Sequence, residues 1–222
     1  MGADGKLYTV ADMGDKIMSY DSSGKGSVVI EGMHGNSILA MPDGGLYCTG
    51  LYYTGLGDKV PDAGAIVHVK DGKKALVDSG LKYATGLAYR PDQWLLTVQD
   101  GNSKWAYSYR INADGSLTNK ERYFSYYVAD WDDDAGARGL CYAQEGQMFA
   151  ATRTGVQISA DDGPTQVILP VPDNSRVTAV CLGGKDLDTL YAFCGDKIWK
   201  RKVKVHAMGA FSPWMKVNGT KL

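Results

Sequence analysis

Apolar and polar residues alternate in short runs along this chain, and no stretch carries the 3.6-residue period of an amphipathic helix. The runs are rich in β-branched and aromatic residues and are bounded by Gly, Asp, Asn and Pro, the composition of strands joined by tight turns. Read this way, the chain divides into five successive units. The first has strands over Lys6–Ala11, Lys16–Tyr20 and Ser27–Glu31. The second has Ser37–Met41, Leu46–Thr49, Ala65–Val69 and Ala75–Val77, with a long Gly/Tyr-rich loop over Leu51–Ala63. The third has Gly86–Tyr89, Trp94–Val98, Trp105–Ile111 and Glu121–Tyr127. The fourth has Gly139–Ala143, Met148–Thr152, Val156–Ser159 and Gln166–Leu169. The fifth has Val177–Leu182, Thr189–Phe193 and Ile198–Val205.

A turn-plus-strand signature marks each unit: Asp4-Gly5-Lys6-Leu7-Tyr8, Pro42-Asp43-Gly44-Gly45-Leu46-Tyr47, Pro91-Asp92-Gln93-Trp94-Leu95-Leu96, Glu145-Gly146-Gln147-Met148-Phe149 and Asp186-Leu187-Asp188-Thr189-Leu190-Tyr191. Short strands repeating every ~40–50 residues predict an all-β fold, a β-propeller. One propeller domain over residues 1–222 is expected. The tail 206–222, with Phe211, Trp214, Met215 and Val217, is expected to dock on the body. The first unit lacks the extra leading strand of those that follow. The ring either closes with five units and a strand from the tail, or takes its remaining blade from another segment or chain.

Composition narrows the function classes. Hydrophobic residues are 44% and charged residues 22%, so a packed core rather than disorder is expected, and the 28 glycines fit many hairpin turns. A net charge of −1 points to neither nucleic acid nor an anionic membrane surface. No apolar run is long enough to span a bilayer, and no basic-then-apolar leader opens the sequence, so a soluble protein is expected.

Candidate chemistry is sparse. Cys48, Cys141, Cys181 and Cys194 each fall in a strand with no C-x-x-C spacing and read as small buried hydrophobes. His34, His68 and His206 are too dispersed for a local metal set, and His68 is expected to face outward. Asp130, Asp132 and Asp134 alternate as in a calcium loop, but Ala135 and Cys141 stand where an EF-hand needs Gly and Glu. These carboxylates are weak metal candidates; a solvated acidic loop is the plainer reading. Lys197, Lys200, Arg201, Lys202 and Lys204 form a basic stripe near the end of the chain, expected to be a solvated edge or a dock for an acidic partner.

Several motifs, in order, resemble the SMP-30/gluconolactonase/luciferin-regenerating-enzyme-like family. Ala84-Thr85-Gly86-Leu87-Ala88-Tyr89-Arg90-Pro91-Asp92 is similar to its P-N-G-hydrophobic-A-x-S-P-D run, and Ala137-Arg138-Gly139-Leu140-Cys141 to its x-D-G-M motif. Ala151–Ile158 and Gly183–Tyr191 are further matches. The resemblance implies a six-bladed propeller, of which about five blades are visible here. It also implies a channel-bound divalent metal, usually calcium, and hydrolysis of lactones or related esters. In the family the metal is held by a first-blade Glu, two Asn and an Asp.

This chain departs from that set. Asn36, in Gly35-Asn36-Ser37, matches one Asn; Thr85 replaces the other; Arg138 replaces the Asp; the Glu has no counterpart. A guanidinium at a metal position stays charged at any workable pH. At about 4 Å it would repel a divalent ion by several kcal/mol, on the order expected at an effective dielectric of about 20. Arg138 is instead expected to attract an anion or to pair with a carboxylate of the 130–134 loop, with Asn36, Thr85 and Arg138 close together at the channel. Two function classes follow. One is a non-catalytic binding or scaffold subunit with no cofactor and a protein partner, using aromatic surface such as Leu51–Gly55 or Tyr123–Tyr127, runs that read equally well as blade packing. The alternative is a calcium-dependent lactonase with a rebuilt site, taking a small-molecule lactone.

Overall fold

The computed structural model describes residues 1–11, 15–51, 64–90, 95–160 and 162–207. Most of the expected Leu51–Ala63 loop, the start of the Trp94 strand and the tail beyond residue 207 lie outside the described residues.

Every described regular element is a strand. The first sheet holds β1 (Leu7–Ala11), β2 (Lys16–Tyr20) and β3 (Gly26–Glu31). The second holds β4 (His34–Ala40), β5 (Leu46–Leu51), β6 (Gly64–Lys70) and β7 (Lys73–Leu81). The third holds β8 (Ala84–Tyr89), β9 (Leu95–Asp100), β10 (Trp105–Ile111) and β11 (Leu117–Ser125). The fourth holds β12 (Gly139–Tyr142), β13 (Met148–Thr152), β14 (Gly155–Ser159) and β15 (Thr165–Leu169). The fifth holds β16 (Ala179–Gly183), β17 (Thr189–Cys194) and β18 (Lys197–Lys202). Each sheet is an antiparallel meander in chain order; β4, β8, β12 and β16 pack against one another in sequence as the inner strands, and β1, which carries the turn-plus-strand signature of β5, β9, β13 and β17, packs against β4. This is a β-propeller arrangement with five blades. Among the described elements, no strand of the first sheet packs substantially against the last, so within the described residues each of these two sheets has one flank without a neighbouring sheet.

The middle strands are buried on both faces, and their alternation feeds two blade interfaces at once. Met148 and Ala150 join the apolar cluster between the third and fourth sheets; Phe149 and Ala151 join the one between the fourth and fifth. Leu46 and Cys48 face the first sheet, whereas Tyr47 between them faces the third. A period-2 strand in a stack of sheets needs apolar residues at successive positions, which explains runs such as Met148-Phe149-Ala150-Ala151. Polar joints cross the same interfaces. Tyr47 Oη donates to the Gly115 carbonyl at 2.8 Å, Tyr109 Oη to Asp78 at 2.8 Å, and Thr97 and Tyr142 hydroxyls lie 2.8 Å apart.

Near the channel the inner strands touch through backbone. A side-chain carbon on Gly86 of β8 would lie 2.7 Å from Gly139 Cα of β12, and one on Gly139 would lie 3.2 Å from Ala179 Cα of β16.

Two expectations are corrected. His68 does not face outward: it is buried, stacked on Tyr47 with ring centroids 4.8 Å apart and wedged against Gly45 and Gly115. The third sheet's Asn112–Ser116 turn covers the β6 face that an isolated sheet would leave wet. Cys48 and Cys194 are buried, but Cys181 is exposed, because its side of β16 faces an open flank. Ile198 of β18 (61% exposed) and Leu7 of β1 (53% exposed) are uncovered as well. The aromatic run Tyr123–Tyr127 is largely blade packing, with Phe124 and Tyr126 buried; Tyr127 is exposed. After β18 the chain returns to the body: His206 bonds Glu145 through Nδ1 at 3.0 Å, and Ala207 bridges Ala143.

Gly86→Ala is expected to lower stability by about 1–3 kcal/mol through overpacking against Gly139. Gly183→Ala, whose nearest neighbour would stand 3.8 Å away, should change it by less than about 0.5 kcal/mol. Parallel urea denaturation of the two variants makes the comparison.

Burial holds the His68 pKa below its ordinary 6.5, and nearby Lys70 lowers it further against the opposing pull of Asp43 and Asp114. The unfolded chain therefore takes up this proton first as pH falls, and the stability dependent on neutral His68 is lost below about pH 6.5. Unfolding free energies at pH 7.5 and 5.5 should fall further for the parent than for His68→Gln.

Candidate functional site

Strands alternate in direction, so the segments leading into β4, β8, β12 and β16 emerge on one face of the molecule, together with the β9–β10 and β13–β14 loops. That face carries the three positions the sequence singles out. Asn36 sits in β4 at a register break between Gly35 and Ser37, with its side chain exposed. Thr85 occupies a similar break in β8, between Ala84 and Leu87. Arg138 immediately precedes β12, its backbone N–H donating to the Ala151 carbonyl at 3.1 Å.

Thr85 and Arg138 are neighbours across Gly101. A side-chain carbon on Gly101 would lie 2.8 Å from Thr85 Cγ2 and 2.9 Å from Arg138 Nη1. Thr85 is fully buried, and its hydroxyl lies 3.0 Å from the Ala137 carbonyl and 3.3 Å from that of Gln99. Its own carbonyl accepts from the Thr49 hydroxyl. Thr85 therefore acts as a joint between three sheets rather than as an oxygen donor facing the channel.

Arg138 does not take the expected carboxylate. Its Cζ lies 4.7 Å from the centre of the Tyr83 ring, a cation–π contact, and its Nη1 is enclosed without a hydrogen-bond partner. The carboxylates of the acidic loop go to a different arginine. Arg153, in the β13–β14 loop, bonds Asp132 through Nη1 and Asp134 through Nη2 at 2.9 Å. Asp134 also accepts from the Gly136 N–H at 2.7 Å, and Asp130 is exposed. Arg153 reaches the loop because the β13–β14 turn stands directly beneath it, which no sequence spacing shows.

The loop itself is anchored by Gln157 of β14. Its amide nitrogen donates to the Tyr127 carbonyl at 2.8 Å, and its oxygen accepts from the Tyr127 N–H at 2.8 Å and the Thr165 hydroxyl at 2.7 Å. This fully buried amide fixes where the loop leaves β11.

A third arginine completes the group. Arg176, ahead of β16, donates from Nη2 to the Gly136 carbonyl at 2.9 Å, while its Nε is enclosed without a partner. Burial lowers the Arg176 pKa, and the nearby charges of Arg138 and Arg153 lower it further. Gly136 adopts φ 58°, and a side chain there would meet Arg176 Nη2 at 3.0 Å and Arg153 Nε at 3.3 Å. Sequence reasoning missed Arg153, Arg176 and Tyr83. Tyr83 and Arg176 lie outside the matched motifs, and Arg153 falls within the Ala151–Ile158 match, where nothing in the sequence singles it out.

The donor set does not fit a divalent cation. At the positions the family resemblance assigns to the metal, the described residues offer one exposed amide, one hydroxyl engaged with backbone and one guanidinium. No group of three or more His, Cys, Asp or Glu side chains converges among the described residues. Beside this face lies a polar cleft of about 650 Å³, lined by Lys82, Lys104, Trp105, Arg122 and Asp130 among others. No helix of the described residues is long and apolar enough to cross a membrane.

Known proteins place the fold and the family. A gluconolactonase of Zymomonas mobilis is 26% identical over 92% of this chain, and the chain spans 62% of that protein's length. Among solved structures, the calcium-binding protein regucalcin of Agrobacterium tumefaciens aligns over 95% of this chain and 76% of its own, with 18% identity and a TM-score of 0.73. A luciferin-regenerating enzyme aligns over 92% and 75%, with 19% identity and a TM-score of 0.70. The SMP-30/gluconolactonase/LRE-like region matches residues 9–193. With the blade order and inner-strand motifs described above, this chain belongs to the SMP-30/gluconolactonase/LRE-like family.

Proposed function

We propose that this chain is a non-catalytic member of its family, a single propeller domain acting as a binding or scaffold subunit without a metal cofactor. The observation that carries the reading is Arg138. Its guanidinium takes the place of the anionic ligand that a hard cation needs and that would serve as base toward water. Stacking on Tyr83 holds that charge in place. Thr85 adds to it, because its hydroxyl lies within hydrogen-bonding reach of backbone carbonyls. A protein partner is supported by Trp131, 86% exposed on the acidic loop, and by exposed Tyr127, since large aromatic side chains of this kind anchor interfaces. The apolar residues on the two open flanks, Leu7 and Ile198, favour work inside a larger complex.

A second reading is favoured by the relative named gluconolactonase: a calcium-dependent lactone hydrolase with a rebuilt site. Fold and family membership do not carry activity by themselves. The unmodified protein is expected to show no saturable calcium heat in a calorimetric titration and no calcium-dependent lactone hydrolysis. The double variant Arg138→Asp with Thr85→Asn is expected to gain calcium affinity. Strong calcium-dependent turnover by the parent would refute the non-catalytic reading.

A further inference from the structure

The end of the described chain lies on a joint that is open at its rim. After β18, residues 203–207 return to the joint between the fourth and fifth sheets, where Val203 and Val205 pack on its apolar cluster. The Val203 N–H donates to the Asp188 carbonyl at 2.8 Å, the Ala207 N–H to the Leu187 carbonyl at 2.6 Å, and the Gln144 N–H to the His206 carbonyl at 2.8 Å. These bonds fix Ala207 at the base of the joint. A groove of about 280 Å³ opens onto the same cluster, lined by Leu169, Val171, Leu190 and Trp199, with Lys200 and Arg201 beside them.

The groove suits an extended, uncharged, apolar segment. Val171 and Leu190 are buried, Leu169 and Trp199 are half-buried, and Trp199 Nε1 is enclosed with no hydrogen-bond partner among the described residues. An indole N–H is a donor only, and a peptide carbonyl of an extended segment is a fitting acceptor. Lys200 and Arg201 are exposed, so they repel an incoming cation. Residues 208–215 have the matching character. Met208, Phe211, Trp214 and Met215 are apolar, no residue of the run is charged, and Pro213 disfavours a helix. Their position matches as well. Ala207 is bonded to Leu187, and Leu190 of the groove follows Leu187 by three residues, a span of at most ~11 Å. The 208–215 run reaches roughly 26 Å when extended.

We infer that residues 208–215 of the same chain dock in the groove between the fourth and fifth sheets, with Phe211 and Trp214 covering Val171, Leu190 and Trp199. The run extends the contact that Val203 and Val205 already make with this cluster. Its tether favours it over an occupant from solution, because a short linker gives an effective concentration of millimolar order. Docking removes the apolar faces of Phe211 and Trp214 from water together with those of the groove. The inference goes beyond the non-catalytic reading. Neither a calcium titration nor a lactone assay reads the position of this segment, so failure of either leaves the other standing.

The test is cleavage of the full chain by chymotrypsin under native conditions. Cuts after Phe211 and Trp214 are followed by mass spectrometry and compared with those in a free synthetic peptide of residues 204–219. A docked segment is cut only in its open fraction, so the parent is expected to be cut at least roughly tenfold more slowly than the peptide. Leu169→Gln and Trp199→Ala, which remove apolar surface from the groove, should each speed the cuts by roughly tenfold. Val28→Gln, at an exposed position of the first sheet, should leave the rate unchanged. Protection in the parent should stay constant over roughly a hundredfold range of protein concentration, as an intramolecular contact requires. Thermal unfolding of each variant shows that it is folded, and if one groove variant fails to fold, the other decides. Cleavage of the parent as fast as the peptide, a folded groove variant cut at the parent's rate, or protection that rises with concentration because a second copy supplies the segment would overturn the inference.

Discussion

The close approach of successive inner strands is the constraint on which the rest of this structure depends. Where β8 meets β12 the two chains touch through Gly86 and Gly139, and β12 meets β16 through Gly139 and Ala179. Backbone contact at that distance brings the sheets near enough for single side chains to fill the gap between them. It also sets the width of the channel mouth and the spacing of the loops around it. Thr85 can reach the Ala137 carbonyl, and Arg138 can lie against Tyr83, because nothing larger than glycine stands between these strands.

Radial packing follows from that spacing. The sheets are stacked, so their middle strands have no wet face, and successive residues of β5 and β13 enter different interfaces. Each interface then carries its own apolar cluster, sealed by a few hydroxyl and amide bonds. Buried polar residues such as Gln157 and Thr85 are accommodated because their hydrogen bonds run to the neighbouring sheet, which makes them part of the blade joints. The two flanks without a neighbouring sheet are where apolar side chains such as Leu7 and Ile198 reach solvent.

At the channel face, Arg138 stands where the family resemblance places an anionic metal ligand. Arginines from the segments before β12, after β13 and before β16 lie near one acidic loop, and two of that loop's carboxylates, Asp132 and Asp134, are bonded to Arg153. Arg138 is left with an aromatic face rather than a counter-ion.

What the sequence by itself determined is the local structure. The alternation of apolar residues and the recurring Asp-Gly turns specify strands such as Lys16–Tyr20, Trp105–Ile111 and Met148–Thr152 to the residue, because strand period and turn chemistry are properties of neighbouring residues. The repeat specified the propeller, and the substitutions Thr85 and Arg138 were legible as departures within a known motif. Tertiary structure alone decided what those residues touch. His68 looks outward on an isolated strand and is buried by a turn from the next sheet; Cys181 looks buried and is exposed on an open flank. Asp132 and Asp134 pair with Arg153 rather than Arg138 because a turn of another strand places that guanidinium beneath the loop. Period and turn signals act over a few residues, whereas these partners stand 19 or more residues apart and meet only when sheets stack around a common axis.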